Sequence, residues 1–181
     1  MTPAYDGTCE ECGYVYESVS PNDAIVAIRS FARRYRAPLT RGMPDEDLLD
    51  IVRRKPAPDV WSALEYACHV RDVFRIQRER IRKTLVEDRP VLPAMNRDQR
   101  AMDERYNEQD PVAVADQLAA NAETLATTLE GIDASDWERV AVYPFPQPTE
   151  RTVLWLARHS VHEGAHHLLD IGRVLRAVRG R

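Results

Sequence analysis

The placing of the prolines constrains this chain more than any other feature. Twelve prolines gather in clusters, and between the clusters lie long stretches whose apolar residues return every three or four positions, the signature of a buried helical face. Asp59 to Glu87 contains neither glycine nor proline, and Trp61, Leu64, Val70, Val73, Phe74, Ile76, Ile81 and Leu85 recur along it at helical intervals. This predicts the longest helix of the chain. Pro21-Asn22-Asp23 predicts the start of an earlier helix, capped by Asn22 or Asp23, that runs through Ile25, Ile28 and Phe31 to about Arg36 and stops before Pro38. Pro111 after Asp110 opens a third over Val112 to Leu129, closed by Gly131. A fourth spans Thr152 to Val178, with Gly164 and Gly172 tolerated inside it at about 1 kcal/mol each.

The connections are long. Arg41 to Pro58 reads as a linker with one helical turn around Leu48 and Ile51, and the segment from Pro90 to Asp110 as an irregular link. Residues 132–150 read as an aromatic, proline-rich loop in which Tyr143 to Phe145 either pack or form a lid over a pocket. No strand alternation competes with the helical pattern. The fold class predicted is therefore all-α, an up-down four-helix bundle with long crossover loops. Residues 1–19 form a separate N-terminal extension and residues 20–181 the bundle.

Composition narrows the function classes. Of 181 residues, 44% are hydrophobic and 30% charged, enough apolar material for a core and too little bias for disorder. A formal net charge of −4 leaves no broad basic face for a phosphate backbone, so nucleic acid is not an expected partner. The start MTPAYDGTCEECG lacks a basic, apolar leader, and no stretch approaches the roughly 18 apolar residues of a membrane span. A cytoplasmic protein without a membrane partner is expected, and bundles of this size can pair through an apolar face as homodimers.

The candidate chemistry lies in the histidines. Of five, His159, His162, His166 and His167 fall within nine residues of the last helix, and His69 sits mid-way along the Asp59–Glu87 helix. At roughly 100° per residue, Trp155, His159, His162, His166, Asp170 and Arg173 share an arc of about 80°, with His167 outside it. A lone histidine on such a helix is more often a satisfied core or surface residue. Clustering changes that reading. His162 and His166, four apart, can converge on one ion, and His69 supplies a third imidazole, with Glu65 or Asp72 positioned to accept its other N–H. Three imidazoles leave coordination positions open, as in catalytic zinc. His159 is then a pocket or supporting residue, and His167 a packing or surface residue. Arg173 either pairs with a substrate carboxylate or is simply solvated. His162-Glu163-Gly164-Ala165-His166 also fits HExxH, but a hydrolase using Glu163 as base requires that side chain to face the metal-bound water, and at one residue from His162 it is expected to point away.

Cys9-Glu10-Glu11-Cys12-Gly13 has the shape of a zinc knuckle. Three readings stay open: half of a zinc site completed by another subunit or by histidine, a reversible redox pair, or an unligated remnant.

The segment Trp61 to Val73, containing WSxxExxxHxxD, together with the distant HxxxH of His162 and His166, resembles the DinB/YfiT-like superfamily, which includes DinB proteins and mycothiol-dependent maleylpyruvate isomerases. The likeness covers residues 20 to 178. It implies a four-helix bundle holding a divalent metal, zinc first, with nickel or iron as the other candidates, on His69, His162 and His166. In mycothiol-dependent members a glutamate commonly stands at the place of His162, so the resemblance points to a three-histidine branch. It also implies a transferase or isomerase in which a low-molecular-weight thiol, mycothiol or bacillithiol, is activated as a metal-bound thiolate toward an electrophilic substrate. The alternative is a non-catalytic, stress-associated metal-binding protein.

Overall fold

The computed structural model describes residues 7–180. Four long helices form the bundle: α1 (Pro21–Thr40), α3 (Ala63–Val86), α5 (Pro111–Glu130) and α6 (Val153–Val178). Short helices α2 (Leu48–Arg53) and α4 (Arg97–Asp103) lie in the connections. Each long helix begins on a side-chain cap that satisfies backbone N–H groups otherwise left orphaned. Ser20 and Asp23 form a reciprocal capping box on α1, and Ser62 and Glu65 do the same on α3. Asp110 accepts from Ala113 N–H ahead of Pro111, and Thr152 accepts from Trp155 N–H. The cap of α1 is thus Ser20, two residues before Asn22 and three before Asp23.

Two helix ends depart from expectation. α1 continues through Pro38 to Thr40, because a proline in the last turn sacrifices a single intrahelical bond, and the Thr40 hydroxyl donates to the Arg36 carbonyl there. α6, at 26 residues, is longer than the 24-residue α3. The loop after α5 is also more regular than its prolines suggest: β1 (Val140–Tyr143) and β2 (Thr149–Thr152) form an antiparallel hairpin, with Val140 opposite Thr152 and Tyr143 opposite Thr149. Residues 90–92 join it through Val142 N–H to the Pro90 carbonyl and Leu92 N–H to the Val142 carbonyl. Four-residue strands are too short to show as alternation, and backbone pairing rather than patterning makes them.

Around the bundle α1 packs on α5, α5 on α3, α3 on α6, and α6 back on α1. The consecutive long helices α1 and α3 therefore sit across a diagonal, which the long connections make possible. Ile28, Phe31, Tyr35, Leu64, Phe74, Leu118, Leu125 and Leu156 fill the centre. Gly164 lets α6 approach α1 closely: a Cβ there would lie 2.5 Å from Cε2 of Phe31. Among the described residues no helix is long and apolar enough to cross a membrane.

Candidate metal centre

α6 presents two ligand pairs, each four residues apart and offset by one residue, so they point in directions about 100° apart. Glu163 and His167 face α3. There His69 Nε2 lies 3.2 Å from Glu163 Oε2, and His167 Nε2 lies 3.4 Å from the same oxygen. Two ligands on a tetrahedral zinc with bonds near 2.0–2.1 Å stand about 3.3 Å apart, so the donors already sit at ligand spacing. His162 and His166 face the N-terminal segment, where they cluster with Cys9 and Cys12. The three histidines His69, His162 and His166 are thus divided between two clusters, each capable of holding a metal. The residue types and the helix faces were legible; the register was not, because Glu163 and His167 repeat the spacing of His162 and His166 one position later.

The supporting residues shift accordingly. Asp170 Oδ2 lies 3.0 Å from His167 Nδ1 and 3.5 Å from His166 Nε2, the position from which a carboxylate fixes the tautomer of a ligating imidazole. Glu65 and Asp72 do not serve His69. Glu65 accepts from Ser62 N–H at 2.8 Å and pairs with Lys55, while Asp72 accepts from Arg71 Nε at 2.9 Å and from the Tyr106 hydroxyl at 2.6 Å. His69 Nδ1 is left buried without a hydrogen-bond partner among the described residues. Capping and a neighbouring guanidinium took both carboxylates, although their spacing from His69 was right. Arg173 binds Asp170 and donates to the Glu11 carbonyl, on the outside of α6.

The electrostatics fit a cation site. Burial opposes ionisation of Glu163, but hydrogen bonds from His167 and His69 outweigh it and hold the carboxyl well below its usual range. Burial likewise pushes the His167 imidazole down, yet Asp170 and Glu163 on either side raise it to about 9. Its proton stands where the charge of a divalent ion would compensate the two carboxylates. His69, with burial as the leading cause, is lowered.

A cavity of about 410 Å³ opens beside His69 and Glu163. Val73, Ile76, Met95, Phe145 and Trp155 give it apolar walls, and Arg80 and Arg97 give it positive charge. Tyr143 and Phe145 border it, so the aromatic stretch does line a pocket. His159 also lines it, stacked on Trp155 with ring centroids 4.7 Å apart. The Tyr16 hydroxyl is 2.8 Å from His159 Nδ1 and the Tyr143 hydroxyl 3.2 Å from its Nε2. Burial lowers His159 to about 4, so the ring is neutral at pH 7.

A family model described as the DinB superfamily matches residues 30–171. The chain belongs to the DinB superfamily. Among solved structures, it is similar to a chain described as "YfiT from Bacillus subtilis is a probable metal-dependent hydrolase with an unusual four-helix bundle topology". The identity is 15%, the TM-score 0.70, and the match covers 87% of this chain and 90% of that one. At that identity the likeness shows the shared fold. A comparison with curated proteins found no match. In this DinB-superfamily chain the fold brings His69 of α3 beside Glu163 and His167 of α6, and His69 and Glu163 line the cavity. Asp170, three residues after His167, is the sequence signal that His167 has a carboxylate partner.

Proposed function

We propose that the chain is a metal-dependent enzyme in which His69, Glu163 and His167 hold a divalent metal, zinc first, and the adjoining cavity admits a low-molecular-weight thiol and an anionic electrophile. The observation that supports this most is a three-residue donor set that meets a cavity. A structural ion would be enclosed by a fourth protein ligand, whereas an ion with a free position facing about 410 Å³ of space can accept a guest atom. The glutamate matters too. The resemblance points to a three-histidine branch, with a glutamate at the place of His162 only in mycothiol-dependent members, but the closeness of Glu163 to His69 and His167 favours a glutamate-containing ligand set.

A divalent ion bound there would supply Lewis-acid stabilisation of a thiolate at neutral pH. The rest falls to the chain. Arg80, whose Nη2 donates to the Pro93 carbonyl at 2.6 Å and whose Nη1 lies 3.3 Å from the Tyr143 hydroxyl, is fixed at the cavity wall. Its Nε has no hydrogen-bond partner among the described residues. Arg80 and Arg97 would bind a carboxylate on the electrophile. Burial raises the Tyr143 hydroxyl above its ordinary value, so it stays protonated and can donate to a developing negative oxygen. Val73, Ile76 and Phe145 exclude water from the reacting atoms. The reaction class is S-transfer to, or thiol-assisted isomerisation of, an unsaturated carboxylate.

The test is metal analysis followed by consumption of an α,β-unsaturated carboxylate with mycothiol, bacillithiol or glutathione, beside hydrolysis of an activated ester without thiol. Thiol-dependent turnover that falls about a thousandfold in Glu163→Gln, with loss of metal from that site, is the expected outcome. Thiol-independent ester hydrolysis would instead favour a hydrolase. Tight metal binding with neither activity would favour a non-catalytic metal-binding role.

A further inference from the structure

We infer that Cys9, Cys12, His162 and His166 form a second, structural zinc site on the opposite flank of α6. The four donors lie within 4.8 Å of one another. Cys9 Sγ is 3.7 Å from His166 Nδ1, against about 3.6 Å for a thiolate and an imidazole sharing a tetrahedral zinc with bonds of about 2.3 and 2.05 Å. The turn carrying the cysteines is built as a knuckle. Gly13 N–H donates to the Cys9 carbonyl at 2.7 Å, Cys9 N–H donates to the Tyr14 carbonyl at 2.8 Å, and Thr8 bridges Val15 across the turn. Gly13 has φ +73°, which a residue with a Cβ adopts only at a cost, so the glycine after the second cysteine is what lets the loop close.

The site is enclosed. Cys9 and His162 are both 0% exposed, and the rings of Tyr14 and Tyr16 lie 5.4 Å from that of His162. Four protein donors leave no position for a substrate, and none of the four lines the cavity described above. Two thiolates with two imidazoles select zinc over magnesium, calcium or manganese. Binding would release the two thiol protons to solvent and leave a neutral zinc complex beside the Tyr14 and Tyr16 rings. The second coordination layer is present as well: His166 Nε2 lies 3.3 Å from Glu11 Oε2 and 3.5 Å from Asp170 Oδ2.

The consequence for the fold is a clamp. Zinc would tie the N-terminal segment to α6 where the Tyr14 hydroxyl donates to the Arg158 carbonyl and Arg158 Nε donates to the Val19 carbonyl. That segment carries Tyr16, whose hydroxyl reaches His159 at the edge of the cavity. The cysteine pair therefore acts as a structural tether to the site it flanks.

The test uses the full chain, purified with reductant and without chelator. Elemental analysis is expected to give about two zinc ions per chain. Replacement by cobalt(II) should produce thiolate-to-cobalt charge-transfer absorption that disappears in Cys12→Ser and survives in His69→Ala. Cys9 and Cys12 in the wild-type chain should resist a thiol reagent until a chelator is added. Absence of the charge-transfer band in wild type, equal thiol reactivity with and without chelator, or a Cys9–Cys12 disulfide in freshly purified protein would each overturn the inference. The spectrum and the thiol protection need no variant, so they decide even if Cys12→Ser fails to fold. Thiol-dependent turnover without the cobalt–thiolate band would leave the proposed function standing and remove this site alone.

Discussion

The two flanks of α6 begin with the same device and finish it differently. On each, two donors four residues apart meet a group from elsewhere in the chain: His162 and His166 meet the Cys9–Cys12 turn, and Glu163 and His167 meet His69 of α3. The first flank offers four protein donors, with Cys9, His162 and His166 buried and Cys12 partly so. The second ends at three residues and a cavity. The difference shows that the helix spacing alone does not make a cluster structural or catalytic. What decides is how many further donors the fold delivers, and whether the remaining space is filled by side chains or left for a guest. An offset of one residue, about 100° of rotation, is enough for one helix to carry both.

The largest way to break the comparison is by pH in chelated protein, because His167 on one flank and His162 on the other titrate in opposite senses. His167 is held at about 9 despite burial, by Asp170 and Glu163, which is above the about 6.5 of an unfolded histidine. Its stabilisation is complete below about pH 6.5 and is lost as pH rises through about 9, on the order of 3 kcal/mol. His162 is lowered by burial to about 4. It therefore costs stability progressively as pH falls from about 6.5 to about 4, joined there by His159, also lowered to about 4. Unfolding by urea across pH should show a fall on both sides of a maximum. His167→Ala should flatten the alkaline limb and leave the acid limb, and an unchanged alkaline limb would break the assignment of His167 to the carboxylate-lined flank beside His69.

A smaller effect tests whether the flanks are independent. Asp170 touches one imidazole from each, His167 Nδ1 and His166 Nε2. Asp170→Asn keeps the shape and removes the charge, so zinc affinity should fall about 10- to 100-fold at both sites. Competition with a chromophoric chelator, read by metal stoichiometry, checks it. Weakening at one site only would show that the shared carboxylate serves that flank alone.

Much of the fold is legible in the sequence. The four long helices follow from proline placement and apolar spacing, and the polar stripe on α6 marked the chemistry. His69 was assigned to a metal and stands in a cluster that can hold one. The structure divides His69 from His162 and His166 for a physical reason. HxxxH at 162 and 166 and ExxxH at 163 and 167 have identical spacing, and only the packing of α6 against α3 on one side and the N-terminal turn on the other tells them apart. Glu65 and Asp72 show the same limit: their spacing from His69 was correct, but Ser62, Lys55, Arg71 and Tyr106 compete for them, and the sequence does not rank those partners. The hairpin of β1 and β2 escaped because its strands are defined by pairing across a turn rather than by alternation within either one.

The smallest effect sharpens the comparison by moving α6 as a whole. Gly164 lies inside both interleaved ligand pairs in sequence and faces α1, where its carbonyl accepts from the Tyr35 hydroxyl at 2.8 Å and an added Cβ would meet the Phe31 ring. Phe31 is 1% exposed and packed against Tyr35 and Phe74, so it has little room to yield. Overpacking of this kind costs about 1–3 kcal/mol, and the better helix propensity of alanine returns about 1 kcal/mol. Gly164→Ala should therefore be less stable by about 1 kcal/mol, a Tm lower by about 2–4 °C for a chain of this length. Because the displacement acts on the helix that carries both ligand pairs, both metals should be retained at full stoichiometry while turnover falls modestly through the α3–α6 gap. Selective loss of one metal would mean that the flanks respond separately to the position of α6, and that the N-terminal turn follows the helix while His69 does not.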